Sequence, residues 1–259
     1  MKKIAIITGA SGGCGKAFVR LMLEEDLDEI WAVARNKDKL DALKSEFGDK
    51  IAVISKDLSN RNELHSMAEL LKDENPRIVY LVNSAGTGKM GSYADFTIEE
   101  LEETIDVSCN AVMVLCSLCI PYMERGGRIL NLSSEASFQP IPYLNIYAAS
   151  KAFVRSYSRA LNVELRNRGI TVTAVCPGWV DTDMLLTEIN NRRIKFPGLT
   201  TPDRVAVKAL HDAGKGKDMS VCTAYVKFMH VFAKIFPQRI VMNAWIRSIR
   251  RYGLERVRY

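Results

Sequence analysis

The sequence has no disulfide framework: its six cysteines (Cys14, Cys109, Cys116, Cys119, Cys176 and Cys222) follow no regular spacing, and most stand in apolar runs. That excludes a stapled secreted scaffold and predicts buried thiols in a reducing compartment, the cytoplasm. Cys116-x-x-Cys119 has neither a second pair nor a nearby histidine, so no metal site is predicted. Long apolar runs are missing too. None reaches the roughly 20 residues of a membrane span, and the run after Met1-Lys2-Lys3 meets glycine too early for a signal peptide. Repeats, low-complexity tracts and linker-like stretches are also absent. A chain of 259 residues without them is read as one domain, 1–259, with a large core.

Charge excludes less. A net +6 raises nucleic acid or an anionic surface as partners, but acids are interspersed with bases along most of the chain, and nucleic acid is not predicted. The exception is the tail, about 224–259. There Lys227, Lys234, Arg239, Arg247, Arg250, Arg251, Arg256 and Arg258 stand against Glu255 alone, in an apolar and aromatic stretch interrupted by Pro237. Amphipathic helices on a membrane surface fit that composition; packing on the domain or on a subunit partner is the favoured reading.

What is present alternates. A β-branched run at 3–8 reads as a buried parallel strand. It meets a glycine-rich turn, Thr8 to Gly15, and a helical pattern follows. Strand, turn and helix N-terminus together form an anion site, because backbone N–H groups converge there and the helix dipole favours phosphate. Gly9 permits the turn, Gly13 admits a pyrophosphate, Gly15 lets helix and strand close up, and Ser11 and Cys14 complete the loop. Later strands are expected at 29–35, 51–55, 77–82, 128–134 and 170–176, with helices at about 37–47, 60–73, 97–122, 147–168 and 202–213. A short strand at 219–222 follows. This alternation predicts a doubly wound, Rossmann-type parallel sheet of about seven strands with helices on both faces.

The second strand ends at Ala34-Arg35. In dinucleotide folds an acid near this point takes the ribose 2′-hydroxyl, and an arginine suits a 2′-phosphate. No acid stands at Ala34, and a guanidinium fork matches phosphate, so NADP is expected over NAD. The plain alternative is a solvated arginine. Asn83 closes the fourth strand, where it can brace its neighbours, and the small Ala85 and Gly86 after it leave room for a cofactor.

Between Ser133 and Lys151 an apolar run breaks into paired serines and a helical pattern begins at Tyr147. Tyr147 and Lys151 are four apart and share a helix face. A neighbouring ammonium favours phenolate and is expected to lower the tyrosine's pKa towards the working range of a general acid/base. Ser134, just upstream, can hydrogen-bond a carbonyl oxygen while Tyr147 protonates it. On a surface helix the same spacing arises by chance. Residues 183–200 mix turn signals with apolar side chains and suggest a mobile lid.

Taken together, T-G-x-x-x-G-x-G at Thr8–Gly15, Asp57, N-S-A-G at 83–86, Ser134, Y-x-x-x-K and P-G-x-V-x-T at Pro177–Thr182 resemble the short-chain dehydrogenase/reductase superfamily over about residues 1–222. The resemblance implies a nicotinamide cofactor along the strand ends. Asp57, with Leu58 beside it, would hold the adenine and Asn83 would lie near the adenosine ribose. Lys151 would bind the nicotinamide ribose, and Val180 and Thr182, following Pro177, the carboxamide. The family's fourth catalytic residue, an asparagine, falls on Ser108; Asn110 would point elsewhere.

The function this implies is an NADP(H)-dependent oxidoreductase acting on a carbonyl/alcohol pair. Phe138, Tyr143, Trp179 and Met184 are candidate substrate contacts, and their apolar character favours a steroid, fatty-acyl or aromatic ketone. The alternative is an NADP(H)-binding redox sensor without turnover. A homodimer or homotetramer through the helices near 97–122 and 147–168 is expected.

Overall fold

Runs of β-branched residues and amphipathic stretches alternate along the chain, and each run is long enough for one strand. The computed structural model describes residues 1–183, 185, 188–189, 192–194 and 196–252, with residues 188, 189, 192, 193, 251 and 252 by backbone alone. Strands β1 (Lys3–Thr8), β2 (Glu29–Ala34), β3 (Ile51–Ser55), β4 (Arg77–Asn83), β5 (Met123–Leu132), β6 (Thr171–Val175) and β9 (Met219–Ser220) form one parallel sheet, ordered β3-β2-β1-β4-β5-β6-β9. A small hairpin, β7 (Glu188–Ile189) with β8 (Arg192–Arg193), stands apart. The sheet expected from the alternation is present.

Both faces are covered. Helices α1 (Gly13–Met22), α2 (Lys37–Phe47) and α7 (Pro202–Gly214) bury Phe18, Met22, Leu40 and Val205 on one face. Helices α3 (Arg61–Glu74), α5 (Ala111–Cys119) and α6 (Asn145–Glu164) bury Leu64, Met67, Leu115 and Val154 on the other. Each such side chain contributes about 1.5–3 kcal/mol of hydrophobic stabilisation. Helix ends follow local chemistry: Asn36 and Asn60 cap α2 and α3 by accepting backbone N–H bonds. Gly169, at φ 69°, turns the chain from α6 towards β6.

Two elements differ from the sequence expectation. β5 begins at Met123, five residues early, because Met123 pairs with Ile78 before the register shifts to Arg128 opposite Tyr80. The helix at 97–122 is also not uniform. It runs as α4 (Ile98–Ile105), a π-helical turn at Asp106–Asn110, and α5. Taken as one helical run, Ile98–Tyr122 has the length and composition of a membrane span, which a search for unbroken apolar runs overlooks. Its position explains its composition, since Val112, Leu115, Cys116 and Cys119 pack beneath the sheet.

The tail forms α8 (Ala224–Ile235) and α9 (Gln238–Tyr252), broken at Pro237 as its sequence predicts. Residues 253–259 lie outside the described residues.

Candidate active site

The strand ends of β1, β4 and β5 lie side by side, with Thr8 opposite Asn83 and Asn83 opposite Asn131. Thr8 Oγ1 accepts hydrogen bonds from the Ser84 and Ala85 amides at 3.0 Å each, which fixes the start of the 84–88 loop over the sheet edge. Asn83 donates to Asn131 Oδ1 at 2.8 Å, and Asn131 donates to Ser158 Oγ at 2.9 Å. The side chain of Asn83 is therefore the brace anticipated from sequence. It turns into the interior, with Asn83 2% exposed.

The glycine turn fits a pyrophosphate. A Cβ on Gly15 would stand 2.0 Å from the Gly9 carbonyl oxygen, so no larger residue lets α1 approach β1 this closely. Gly13 faces Thr182, whose Cγ2 would be 3.5 Å from an added Cβ. A cavity of about 220 Å³ opens between them, lined by Gly13, Lys16, Arg20, Thr182 and Asp203. Ser11 lies in the turn and Cys14 in the first turn of α1, where burial pushes its thiol up to about 11. Val180 is fixed by a bridge to Thr200, and Pro177 accepts the Glu135 amide at 2.7 Å.

At the far end of the sheet, Asp57 Oδ1 accepts from both the amide and the hydroxyl of Ser59, at 3.0 and 2.7 Å. Leu58 is a core residue packed with Leu64 and Met67, so only its backbone is offered to a ligand. Arg35 is exposed and pairs with Glu103 at 2.7 Å.

The central cluster is built on α6. Lys151 is buried and donates to the Leu132 carbonyl at 2.8 Å. Its ammonium lies 5.6 Å from the Tyr147 ring centre. Burial lowers its pKa to about 8. Tyr147 shifts the other way from the sequence expectation: its pKa is raised, because desolvation outweighs a hydrogen bond with Ser134 that pulls it down. The ammonium is committed to a carbonyl, and the phenol stays protonated at neutral pH. Ser134 Oγ also accepts the Ala136 amide at 3.1 Å.

Ser108 joins this cluster through the π-turn. Turns of this kind frequently sit at functional sites. Its side chain is fully buried, and its Oγ has no hydrogen-bond partner. A Cβ on Gly86 would stand 3.1 Å from Lys151 Nζ and 3.8 Å from Ser108 Oγ, so the three positions meet. Gly88 matters as well, since a Cβ there would be 2.6 Å from the Tyr147 ring. In the sequence its signal is its spacing of two from Gly86.

The candidate substrate residues separate. Trp179 packs against Phe196 at 4.8 Å and lies near-parallel to Trp245 of α9 at 6.5 Å. Trp245 donates its indole N–H to the Pro142 carbonyl at 2.9 Å. Tyr143, at φ 64°, joins a cluster of Met90, Ile194, Phe196 and Ile249. Phe138 lies apart, under α8 with Cys176, Val221 and Val226. It is a core residue where a substrate contact was expected. Met184 falls outside the described residues, as does part of the suggested lid at 183–200. The described part of that segment packs inward through Ile194 and Phe196. Trp245 and Ile249 were not foreseen, because nothing local in an apolar tail says that it reaches back over the cleft.

A parallel sheet with a glycine turn after β1 and a Ser-Tyr-Lys cluster at its strand ends defines a Rossmann-type α/β fold. The chain belongs to the short-chain dehydrogenase family, whose model, described as short chain dehydrogenase, matches residues 3–193. An uncharacterized oxidoreductase of Staphylococcus epidermidis is 30% identical over 185 residues, covering 71% of this chain and 80% of that one. Among solved structures, a short-chain dehydrogenase from Sphingobium yanoikuyae in complex with NADPH is similar over 100% of this chain and 97% of its own. Its TM-score is 0.75 at 26% identity. A 3-ketoacyl-(acyl-carrier-protein) reductase from Brucella melitensis complexed with NADH has a TM-score of 0.72 at 25% identity, over 85% of this chain and 95% of its own.

Proposed function

We propose that this oxidoreductase reduces a carbonyl, or oxidises the matching secondary alcohol, with NADP(H) as cofactor. The observation that carries the reading is the convergence of Tyr147, Lys151, Ser134 and the unpartnered Ser108 hydroxyl beside a loop of small residues, Ala85 to Gly88. A bound nicotinamide dinucleotide supplies or accepts the hydride. Gly9, Ser11, Gly13, Cys14 and Gly15 would hold its pyrophosphate, Asp57 and Leu58 its adenine end, and Val180 and Thr182 its carboxamide end.

The chain's own residues manage the proton. Burial keeps the Tyr147 phenol protonated, so it stands ready to give its proton to a developing alkoxide. Ser134 donates a second hydrogen bond to the same oxygen, the type of aimed donor that stabilises charge in the transition state. Lys151, held by the Leu132 carbonyl, would also reach a ribose hydroxyl of the bound cofactor, and it keeps positive charge near the phenol. Ser108 offers a hydroxyl through which a water can hand protons onward.

Cofactor choice rests on Arg35, because the similar structures include both an NADPH and an NADH complex. Its present partner, Glu103, is an exposed ion pair of small stability, which a 2′-phosphate can displace. Trp179, Tyr143, Trp245 and Phe196 favour a lipophilic ketone such as a steroid, fatty-acyl or aromatic ketone. The test is loss of NADPH absorbance with a ketone panel and NADP+ reduction with the matching alcohols. Binding of NADPH with no turnover in either direction overturns catalysis in favour of a redox sensor.

A further inference from the structure

Helix α8 is apolar on two opposite faces, and only one of them is satisfied. Its inner face places Val226 and Ala233 against Phe138, Cys176 and Val221. Its outer face carries Phe228, Val231 and Ile235, which are 62%, 52% and 69% exposed, and the chain continues into exposed Phe236 and Ile240. Phe228, Phe232 and Phe236 touch in sequence, with ring centres 6.0 and 4.3 Å apart, so the side chains form a continuous ridge. Soluble monomers rarely leave such a contiguous apolar patch without a partner.

Charge indicates which partner. Residues 224–252 contain Lys227, Lys234, Arg239, Arg247, Arg250 and Arg251 and no Asp or Glu. Lys227 and Lys234 lie one turn either side of Val231 on the helix surface, along the flank of the ridge. Pairing of this face with itself across a two-fold axis would bring together two edges that both carry only positive charge. An apolar ridge edged with lysines instead matches a bilayer interface, where the rings enter the acyl boundary and the ammonium groups reach lipid phosphates.

We propose that the outer face of α8, with the α8–α9 turn, docks this enzyme on an anionic lipid surface. A groove of about 530 Å³ adjoins the turn, lined by Phe138, Pro140, Ile141, Ala152 and Met242 with Arg155 among them. It can receive part of an acyl chain. Because α9 also carries Trp245 over the substrate cleft, the docked face and the cleft share one tail.

The test is flotation of the full chain with vesicles of phosphatidylcholine alone or mixed with phosphatidylglycerol. The protein floats with the mixed vesicles at about 0.1 M salt and is released as salt rises. The paired changes Phe228→Ser with Ile235→Ser, and separately Lys227→Glu with Lys234→Glu, each weaken partitioning by about tenfold or more. The lysine pair is exposed, so that variant keeps its fold by circular dichroism and its NADPH binding. Failure to float, equal flotation with phosphatidylcholine alone, or a ridge variant that converts a larger assembly to a monomer without lipid overturns the proposal. The last result would place the face between copies of the chain. None of these outcomes depends on turnover.

Discussion

The Lys151 ammonium stands 5.6 Å from the centre of the Tyr147 ring but donates to the Leu132 carbonyl at 2.8 Å. Sharing a helix face therefore brought the two groups together without pairing them. The carbonyl holds the lysine, burial lowers its pKa to about 8, and burial also raises that of the phenol.

Tyr147→Phe keeps the ring and removes the hydroxyl. Turnover is abolished while NADPH affinity and thermal stability change little. Ser134→Ala lowers turnover by roughly 10²–10³, the scale for one aimed donor. Single-turnover kinetics and cofactor titration check both. Near-normal turnover in Tyr147→Phe contradicts the proton assignment.

Arg35→Ala weakens NADPH binding selectively and leaves NADH binding almost unchanged. Calorimetric titration of both cofactors against both proteins reads the difference. Equal losses remove Arg35 from cofactor choice.

Ser108→Asn tests the π-turn. The buried hydroxyl has no partner, and an amide there places a donor and an acceptor beside Gly86 and Lys151. If protons pass this position, turnover is maintained or raised; a fall assigns Ser108 to packing.

Glu135 is pushed up to about 7 by burial, and its Oε2 has no partner. The folded state therefore holds this proton more tightly than the unfolded one, and stability falls as pH rises from about 4.5 to about 7. The loss is at most on the order of 3 kcal/mol. Glu135→Gln removes this contribution, so its melting temperature drops less than the parent's between those pH values. Matched slopes overturn the assignment.

Met113, Phe153 and Val163 are exposed, and Phe153 stacks on Tyr157 with ring centres 5.9 Å apart. A dimer or tetramer through α5 and α6 would cover them, and this is the assembly we expect. Light scattering shows more than one chain per particle, and Phe153→Glu dissociates it. A monomer at micromolar concentration contradicts this.

Most of the sheet was legible, because β1, β2, β3, β4 and β6 are short runs rich in Val and Ile and the helices have their own periodicity. The glycine turn after β1 was legible for a related reason: local glycine spacing dictates local backbone shape. Distance in sequence hid the rest. Asn131 reads as an interruption in an apolar strand until it meets Asn83 and Ser158. Phe138 looked like a cleft residue beside Ser134, and only the docking of α8 makes it core. Spacing alone also set the Tyr147 expectation in the wrong direction, since it carries no information about burial or about the Leu132 carbonyl.

Trp245 reaches Pro142 and Trp179 from a helix that follows every strand in chain order. The glycine turn follows β1, and Tyr147 and Lys151 belong to α6, whereas Trp245, beside Trp179, belongs to α9. On the proposed function, substitutions within 238–252 would retune which molecules are admitted while leaving the proposed hydride and proton chemistry intact. Substrate range could then be explored at one end of the sequence without reopening the other.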